Sequence, residues 1–220
     1  MYDPKVKIQL IIPVYNDREA VERLLPKLIE QDWSPSRITV VDASDNNPLP
    51  IQNDWGIHLL HPLKEQKGRA AQMNLGAEQS ESDALLFLHA DTLLPAEAQH
   101  LISKVLSQGK VGGCFSRRFD SPSRFLRFTC VLADLRATFL GWYFGDQAIF
   151  CSREVFERLG GFPNLSSFED LEFSRRLQKT GSCIVLKPGV LSSARRFKQE
   201  GPFRRTCKDL RLTLSYFFKP

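Results

Sequence analysis

Carboxylates closing apolar runs, an acidic pair opening a helix, and a late cluster of arginines are the residues of this 220-residue chain best placed to do chemistry. Ile38–Val41 is a short β-branched run that ends at Asp42, and Ala84–Leu88 runs into His89, Ala90 and Asp91. A carboxylate at such an end can ligate a hard divalent cation or accept hydrogen bonds from a ligand; its plainer use is to cap the following turn. Glu169-Asp170 follows the loop Pro163–Ser167, where acidic residues also suit the positive end of a helix dipole. Between Arg195 and Arg211 stand seven basic residues against Glu200 and Asp209, which accounts for the whole formal charge of +5 and leaves the rest near neutral. Such a stretch serves as a solvated helical face or as a site for phosphates, an acidic membrane surface or an acidic acceptor. No nucleic-acid-binding motif surrounds it, so a nucleic-acid partner is not expected.

The elements that must position these groups alternate in type. Ile8–Val14 reads as a buried strand, followed by a helix with Val21, Leu24, Leu25, Leu28 and Ile29 on one face. Asn16 and Glu19 have the spacing of an N-cap and its reciprocal partner, and Pro26 predicts a bend or irregular first turns. Further strands are expected at Ile38–Val41, Ile57–Leu60 and Ala84–Leu88, with helices over Gly68–Ser80 and from Pro95 through Leu106. This order predicts an α/β domain with a mostly parallel sheet covered on both faces. In such sheets ligands bind beyond the carboxyl ends of the strands, so Asp42 and Asp91 are expected to meet at one crevice.

The second half is less regular. Gly112–Phe119 reads as a strand, Phe125–Leu135 and Glu154–Leu159 as helices, and Phe168–Lys179 as a helix with Gly181 as its C-cap. Cys183–Leu186 and Val190–Ser193 read as two short strands, and Arg204–Phe218 as an amphipathic basic helix with an aromatic end. That end, Leu214-Ser215-Tyr216-Phe217-Phe218, suits a membrane interface, core packing or a homodimer contact. No linker divides the chain, so one domain is expected.

Composition sets outer bounds. At 42% hydrophobic and 25% charged the chain is ordinary for a globular protein. Five scattered cysteines without a CxxC pair argue against a disulfide framework or a zinc site and read as small core residues in a reducing compartment. No run has the pattern of a secretory signal or the length of a membrane span. The expected location is the cytoplasm, with the inner face of the membrane as the alternative.

Four segments then carry a resemblance. Ile11-Ile12-Pro13-Val14-Tyr15-Asn16-Asp17, Val40-Val41-Asp42-Ala43-Ser44, Leu86-Phe87-Leu88-His89-Ala90-Asp91 and Phe168-Glu169-Asp170 resemble, in order and spacing, the motifs of inverting family 2 glycosyltransferases of the GT-A type. More narrowly, Gly68-Arg69-Ala70-Ala71-Gln72-Met73-Asn74, Leu88-His89-Ala90-Asp91-Thr92, Gly145-Asp146-Gln147-Ala148 and Ser193-Ala194-Arg195-Arg196 resemble a small bacterial subgroup labelled as associated with arsenosugar biosynthesis.

The resemblance implies a Rossmann-like single domain. Residues 1–110 would form a nucleotide-binding half, 111–200 an acceptor half, and 201–220 the basic helix. It implies a nucleotide-sugar donor, a divalent cation (Mn²⁺ or Mg²⁺), and an acceptor that is a small molecule or lipid-linked. Pro13, Tyr15, Asn16 and Asp42 would form the nucleotide wall. Arg69, Asn74, His89, Ala90, Arg195 and Arg196 would face the donor sugar and phosphates, with Gln72 an alternative to Asn74. Asp91, with His89 where the family usually has an aspartate, would hold the cation. Arg195 and Arg196 stand where many relatives carry a histidine, and a guanidinium clamps phosphate instead of binding metal. Asp170 would be the base, with Glu169 supporting the acceptor beside Asp146 and Gln147. Two other readings remain: a sugar-phosphate nucleotidylyltransferase, disfavoured because Tyr15-Asn16-Asp17-Arg18 has no glycine, and a nucleotide-sugar-binding protein without turnover, kept open by His89.

Overall fold

A computed structural model describes residues 6–50, 55–62 and 68–217, with side chains through 216; the expected tail residues Phe217 (side chain) and Phe218 fall outside it. Eight strands form one sheet in the order β3-β2-β1-β4-β7-β6-β8-β5. They are β1 Ile8–Val14, β2 Ile38–Asp42, β3 His58–Leu60, β4 Ala84–Phe87, β5 Thr92–Leu93, β6 Gly112–Phe119, β7 Phe150–Ser152 and β8 Cys183–Ser192. The helices are α1 Arg18–Glu30, α2 Arg69–Glu78, α3 Ala98–Ser107, α4 Arg124–Leu140, α5 Arg153–Arg158, α6 Glu169–Gln178, α7 Arg195–Glu200 and α8 Pro202–Phe217. Among the described residues no helix is long and apolar enough to cross a membrane.

Side-chain alternation along the strands builds a three-layer domain. Leu10, Ile12 and Val14 of β1, with Leu86 and Leu88 at β4, enter a core shared with Leu24, Leu25 and Leu28 of α1 and Ile102 of α3. Ile11, Leu85 and Phe87 point the other way, against Met73 of α2, Phe156 of α5 and Phe173 of α6. Each such leucine or phenylalanine contributes about 1.5–3 kcal/mol by leaving water. Gly76 lets α2 lie on β1, since a Cβ there would meet Ile11 Cγ2 at 2.6 Å.

Strand direction brings the chemistry to one edge. The strands β3, β2, β1 and β4 are parallel, so Asp42, paired with Val14, and the His89–Asp91 segment leave at the same end. β7 runs antiparallel to β4 with Leu86 opposite Phe150, so the 144–148 segment that precedes it lies beyond that same end. β5 pairs antiparallel with β8, Thr92 opposite Ser192, and Ser193 N–H donates to the Asp91 carbonyl at 3.0 Å. Residues 193–196 are thereby fixed beside Asp91.

Several local expectations change. Asn16 is not the cap of α1: it sits at φ 52° and Asp17 takes the N-cap position without a side-chain cap bond. Its carboxamide turns across to accept from Asn46 N–H at 3.1 Å, because holding the neighbouring loop uses the same oxygen. Helix α1 continues through Pro26. Pro95 only forms the turn before α3, whose N-cap is Glu97. The C-cap of α6 is Lys179, not Gly181; Gly181 instead makes room for Val111, whose Cγ1 would lie 2.6 Å from an added Cβ. Cys183–Leu186 and Val190–Ser193 are one strand, continuous through Pro188, with a register shift opposite Phe115 and Arg117 of β6. The short β5 and β7 carried too few residues for any periodicity to show. All five cysteines are free; three are core residues, but Cys207 is exposed on α8.

Candidate active site

The crevice is assembled around Gly145. The N-terminus of α6 presents Glu169 and Asp170, both buried. Asp170 Oδ2 accepts from Gly145 N–H at 2.6 Å, and its Oδ1 accepts from Leu171 N–H at 2.7 Å. The His89 ring closes on the other side: a Cβ on Gly145 would stand 2.3 Å from His89 Nε2 and 3.4 Å from Asp170 Oδ2. Only glycine allows the β4 extension, the 144–147 segment and α6 to converge there. Burial raises the Asp170 carboxyl to about 6, with the neighbouring Glu169 charge adding to it and the two backbone donors opposing it. A carboxylate poised near neutrality is suited to take a proton from a hydroxyl.

His89 is neutral at physiological pH, pushed down to about 3 by burial and then by Arg69 and Arg196, against the pull of Asp146. Its Nε2 is buried and without a hydrogen-bond partner, as is Asp146 Oδ1. Asp146 pairs with Arg117 of β6. Burial would raise its carboxyl, but Arg117 foremost, with His89 and Arg136, holds it below the ordinary range. Asp91, half-buried, has its carboxyl raised by burial and by Asp17 and Asp146, while Arg196 and Arg195 pull it down. These couplings set Asp91, His89, Asp146, Arg69 and Arg196 within electrostatic reach of one another.

The arginines divide by partner. Arg69 Nη1 donates to buried Glu169 Oε1 at 3.2 Å, so it bridges α2 to the N-terminus of α6. Arg195 grips Asp17 with two bonds, at 3.2 and 2.5 Å, tying α7 to the start of α1. Arg196 is exposed and makes no salt bridge among the described residues, which leaves its guanidinium available beside Asp91.

Several expected ligand contacts are occupied by the fold. Asp42 is only 2% exposed, and its oxygens accept from Ser44 N–H at 2.9 Å and Leu49 N–H at 2.7 Å, the turn-capping alternative. Both amides of α2 bond backbone groups. Gln72 Nε2 donates to the Val14 and Val41 carbonyls, at 2.7 and 2.8 Å, closing the ends of β1 and β2. Asn74 exchanges two bonds with the Phe162 backbone, 2.9 and 2.8 Å, clamping the turn after Gly160-Gly161. Gln147 is 0% exposed, with its oxygen accepting from Arg136 and Phe144 N–H and its nitrogen donating to Phe115 C=O; it has no surface to offer an acceptor. A buried amide must spend its bonds on protein, and nothing in sequence distinguishes that use from ligand contact. Pro13 lies in β1 opposite Val41, and Ala90 packs against the core. Tyr15 is exposed, its hydroxyl donating to Asp45 at 2.8 Å.

Sequence reasoning missed Asp17, Arg117 and Arg136. Arg117, side chain 12% exposed, interrupts the apolar β6 run, and a charge inside a buried strand is the signal that a partner awaits it. Arg136 stacks over Phe144 at 4.0 Å and bonds the Trp142 carbonyl, supporting the 142–147 segment from α4.

Fit to a divalent cation is partial. Among the described residues no group of three or more His, Cys, Asp or Glu side chains could hold a metal ion alone. The donor set suits an ion bound by Asp91 and completed by substrate phosphate and water, as Mg²⁺ and similar ions are commonly held. His89 Nε2, covered by Gly145, can ligate only an ion as buried as itself.

Comparison with known proteins agrees with this architecture. The pattern of "Glycosyl transferase family 2" matches residues 9–160. An uncharacterized glycosyltransferase of Haemophilus influenzae is 28% identical over 190 residues, covering 82% of this chain and 65% of that protein. The probable glycosyltransferase YdaM of Bacillus subtilis is 19% identical over 209 residues, covering 84% and 50%. The chain thus spans only half to two thirds of these relatives. Staphylococcus aureus TarS 1–349 superposes with TM-score 0.66 at 15% identity, covering 86% of this chain and 60% of that one. The Pyrobaculum calidifontis mannosyltransferase PcManGT, solved with GDP-Man and Mn²⁺, gives 0.62 at 21%, covering 96% and 66%. The mixed sheet flanked by helices is therefore the GT-A fold, and the chain belongs to glycosyl transferase family 2.

Proposed function

We propose that this chain transfers a sugar from a nucleotide-sugar donor to an acceptor hydroxyl, with inversion at the anomeric carbon. One observation carries the reading: a carboxylate at the β4 end (Asp91), a near-neutral buried carboxyl (Asp170) and an available guanidinium (Arg196) converge at the carboxyl edge of the parallel strands. TarS has also been solved with UDP-GlcNAc and PcManGT with GDP-Man, which supports a nucleotide-sugar as the donor class.

In this reading Tyr15 lies against the base, and Asn16 and Asp42 shape the nucleotide wall by fixing the 43–49 loop. Asp91 would hold Mn²⁺ or Mg²⁺ at the donor phosphates. When bound, that ion supplies positive charge to the departing diphosphate. Arg196 supplies further charge at the same place, and Arg195 fixes α7 through Asp17. Asp170, positioned by Gly145 N–H, takes the proton of the attacking acceptor hydroxyl. Glu169 anchors Arg69, and Asp146, paired with Arg117, borders the acceptor. The arsenosugar-associated subgroup stays a narrower placement suggested by the Gly68–Asn74 and Gly145–Ala148 segments.

Thermal-shift titration with UDP and GDP, with and without Mn²⁺, tests the donor site. A nucleotide at a hundred times its dissociation constant adds about 2.7 kcal/mol to stability. The expected result is a metal-dependent rise that Arg196→Ala reduces. A shift unchanged by chelation removes Asp91 from the cation role, and no shift with any nucleoside diphosphate removes the donor site itself.

A further inference from the structure

We propose that α4 and α8 form one surface that docks the protein on an anionic lipid bilayer. On α8, Phe203, Cys207, Leu210 and Leu214 recur at helical spacing and all face solvent, Phe203 at 72% exposure. On α4, Phe128, Val131, Leu132, Leu135 and Phe139 do the same, Phe139 at 77%. The two stripes adjoin where Phe125 and Phe203 meet with ring centroids 6.1 Å apart. Exposed apolar surface of this extent marks an interaction site.

Charge identifies the occupant. The exposed charges flanking the stripes are Arg124 and Arg127 on α4 and Arg204, Lys208 and Arg211 on α8. The acids of these helices are engaged: Asp134 accepts from Arg117 N–H, and Asp209, though partly exposed, pairs with Arg205. On α8 each exposed basic residue directly follows an apolar one: Phe203-Arg204, Cys207-Lys208, Leu210-Arg211. This places cations along the edge of an apolar stripe, where headgroup phosphates lie when a helix rests in the plane of a membrane. A second copy fits less well, since a two-fold contact would press the same cationic rim against itself.

The surface borders the crevice. α8 begins just after the Arg195–Arg196 segment, and at its far end Tyr216 meets Phe168, the N-cap of α6, at 4.9 Å between centroids. A docked protein therefore holds Asp170 beside the bilayer, where a lipid-borne acceptor would present its hydroxyl. That last consequence rests on the reading under Proposed function; the docking does not.

The test is co-sedimentation of the full chain with vesicles of phosphatidylcholine plus phosphatidylglycerol, against phosphatidylcholine alone. The protein is expected to pellet with the anionic vesicles and to be released by high salt. The pairs Leu210→Gln/Leu214→Gln and Phe128→Gln/Phe139→Gln, all at exposed positions, are each expected to weaken partition at least about tenfold, given about 0.8 kcal/mol per buried methylene. Unaltered circular dichroism and melting would show that these variants fold. Wild-type protein that stays in the supernatant with both vesicle types at low salt overturns the proposal. So does a dimer by light scattering that the same substitutions dissociate while no vesicle binding is seen; the face is then a contact between copies. Failure of the nucleotide titration refutes glycosyl transfer and leaves the pelleting result standing.

Discussion

Replacing Asp170 by asparagine separates the proposed base role from a merely structural one. The wild-type carboxyl titrates near 6 rather than at the ordinary 3.8, because burial and Glu169 disfavour its charge. Its folded value is raised, so protonation contributes stability that is fully present below the unfolded value and is lost as pH rises through about 6. The gap amounts to roughly a hundredfold in proton affinity, or about 3 kcal/mol. Asparagine has no such titration, but it can accept only one of the two backbone donors, Gly145 N–H and Leu171 N–H, which costs about 1 kcal/mol at every pH. The variant is therefore expected to be less stable than wild type near pH 4 and more stable near pH 8, its relative stability climbing by about 2–3 kcal/mol between them. Urea unfolding of both proteins at several pH values measures this directly. Transfer should be abolished while nucleoside diphosphate binding is kept, and the wild-type kcat/KM should fall below pH 6. A pH-independent stability difference would show that Asp170 is not held as a buried near-neutral carboxyl. Equal loss of nucleotide binding and transfer would remove it from the base role.

Two substitutions examine what supports that carboxyl. Gly145→Ala drives a methyl group into His89 Nε2 and should cost about 1–3 kcal/mol through forced movement of the ring; the matching kinetic signature is an altered acid limb of the pH profile, because the donor to Asp170 moves as well. Asn74→Ala removes both bonds to the Phe162 backbone and should destabilise by about 1–3 kcal/mol for the buried groups left unpaired, read from urea unfolding, without weakening nucleotide binding beyond that loss. A selective loss of nucleotide affinity at wild-type stability would return Asn74 to the donor site.

What was legible in the sequence followed from local periodicity. The apolar runs of β1, β2 and β4, the continuous pattern of β6, and the faces of α1 and α3 each bury enough side chains to declare their type, and their order implied a mostly parallel sheet. Since parallel strands end on one edge, it followed as well that Asp42 and the His89–Asp91 segment leave the sheet at the same end. The tertiary structure alone decided which polar side chains remained for a ligand. Gln72, Asn74 and Gln147 carry the same groups whether they meet a sugar or a backbone carbonyl, and only packing shows that their bonds are already made. Asp17 becomes the anchor of Arg195 across 178 residues, and Arg117 the partner of Asp146 across 29, separations that no local pattern encodes. The antiparallel returns of β7 and β5 needed two or three residues each, too few to register as strands, yet they carry Gly145 and Arg196 to the crevice. Residue types set what chemistry was available; long-range strand pairing and burial set which groups were free to perform it.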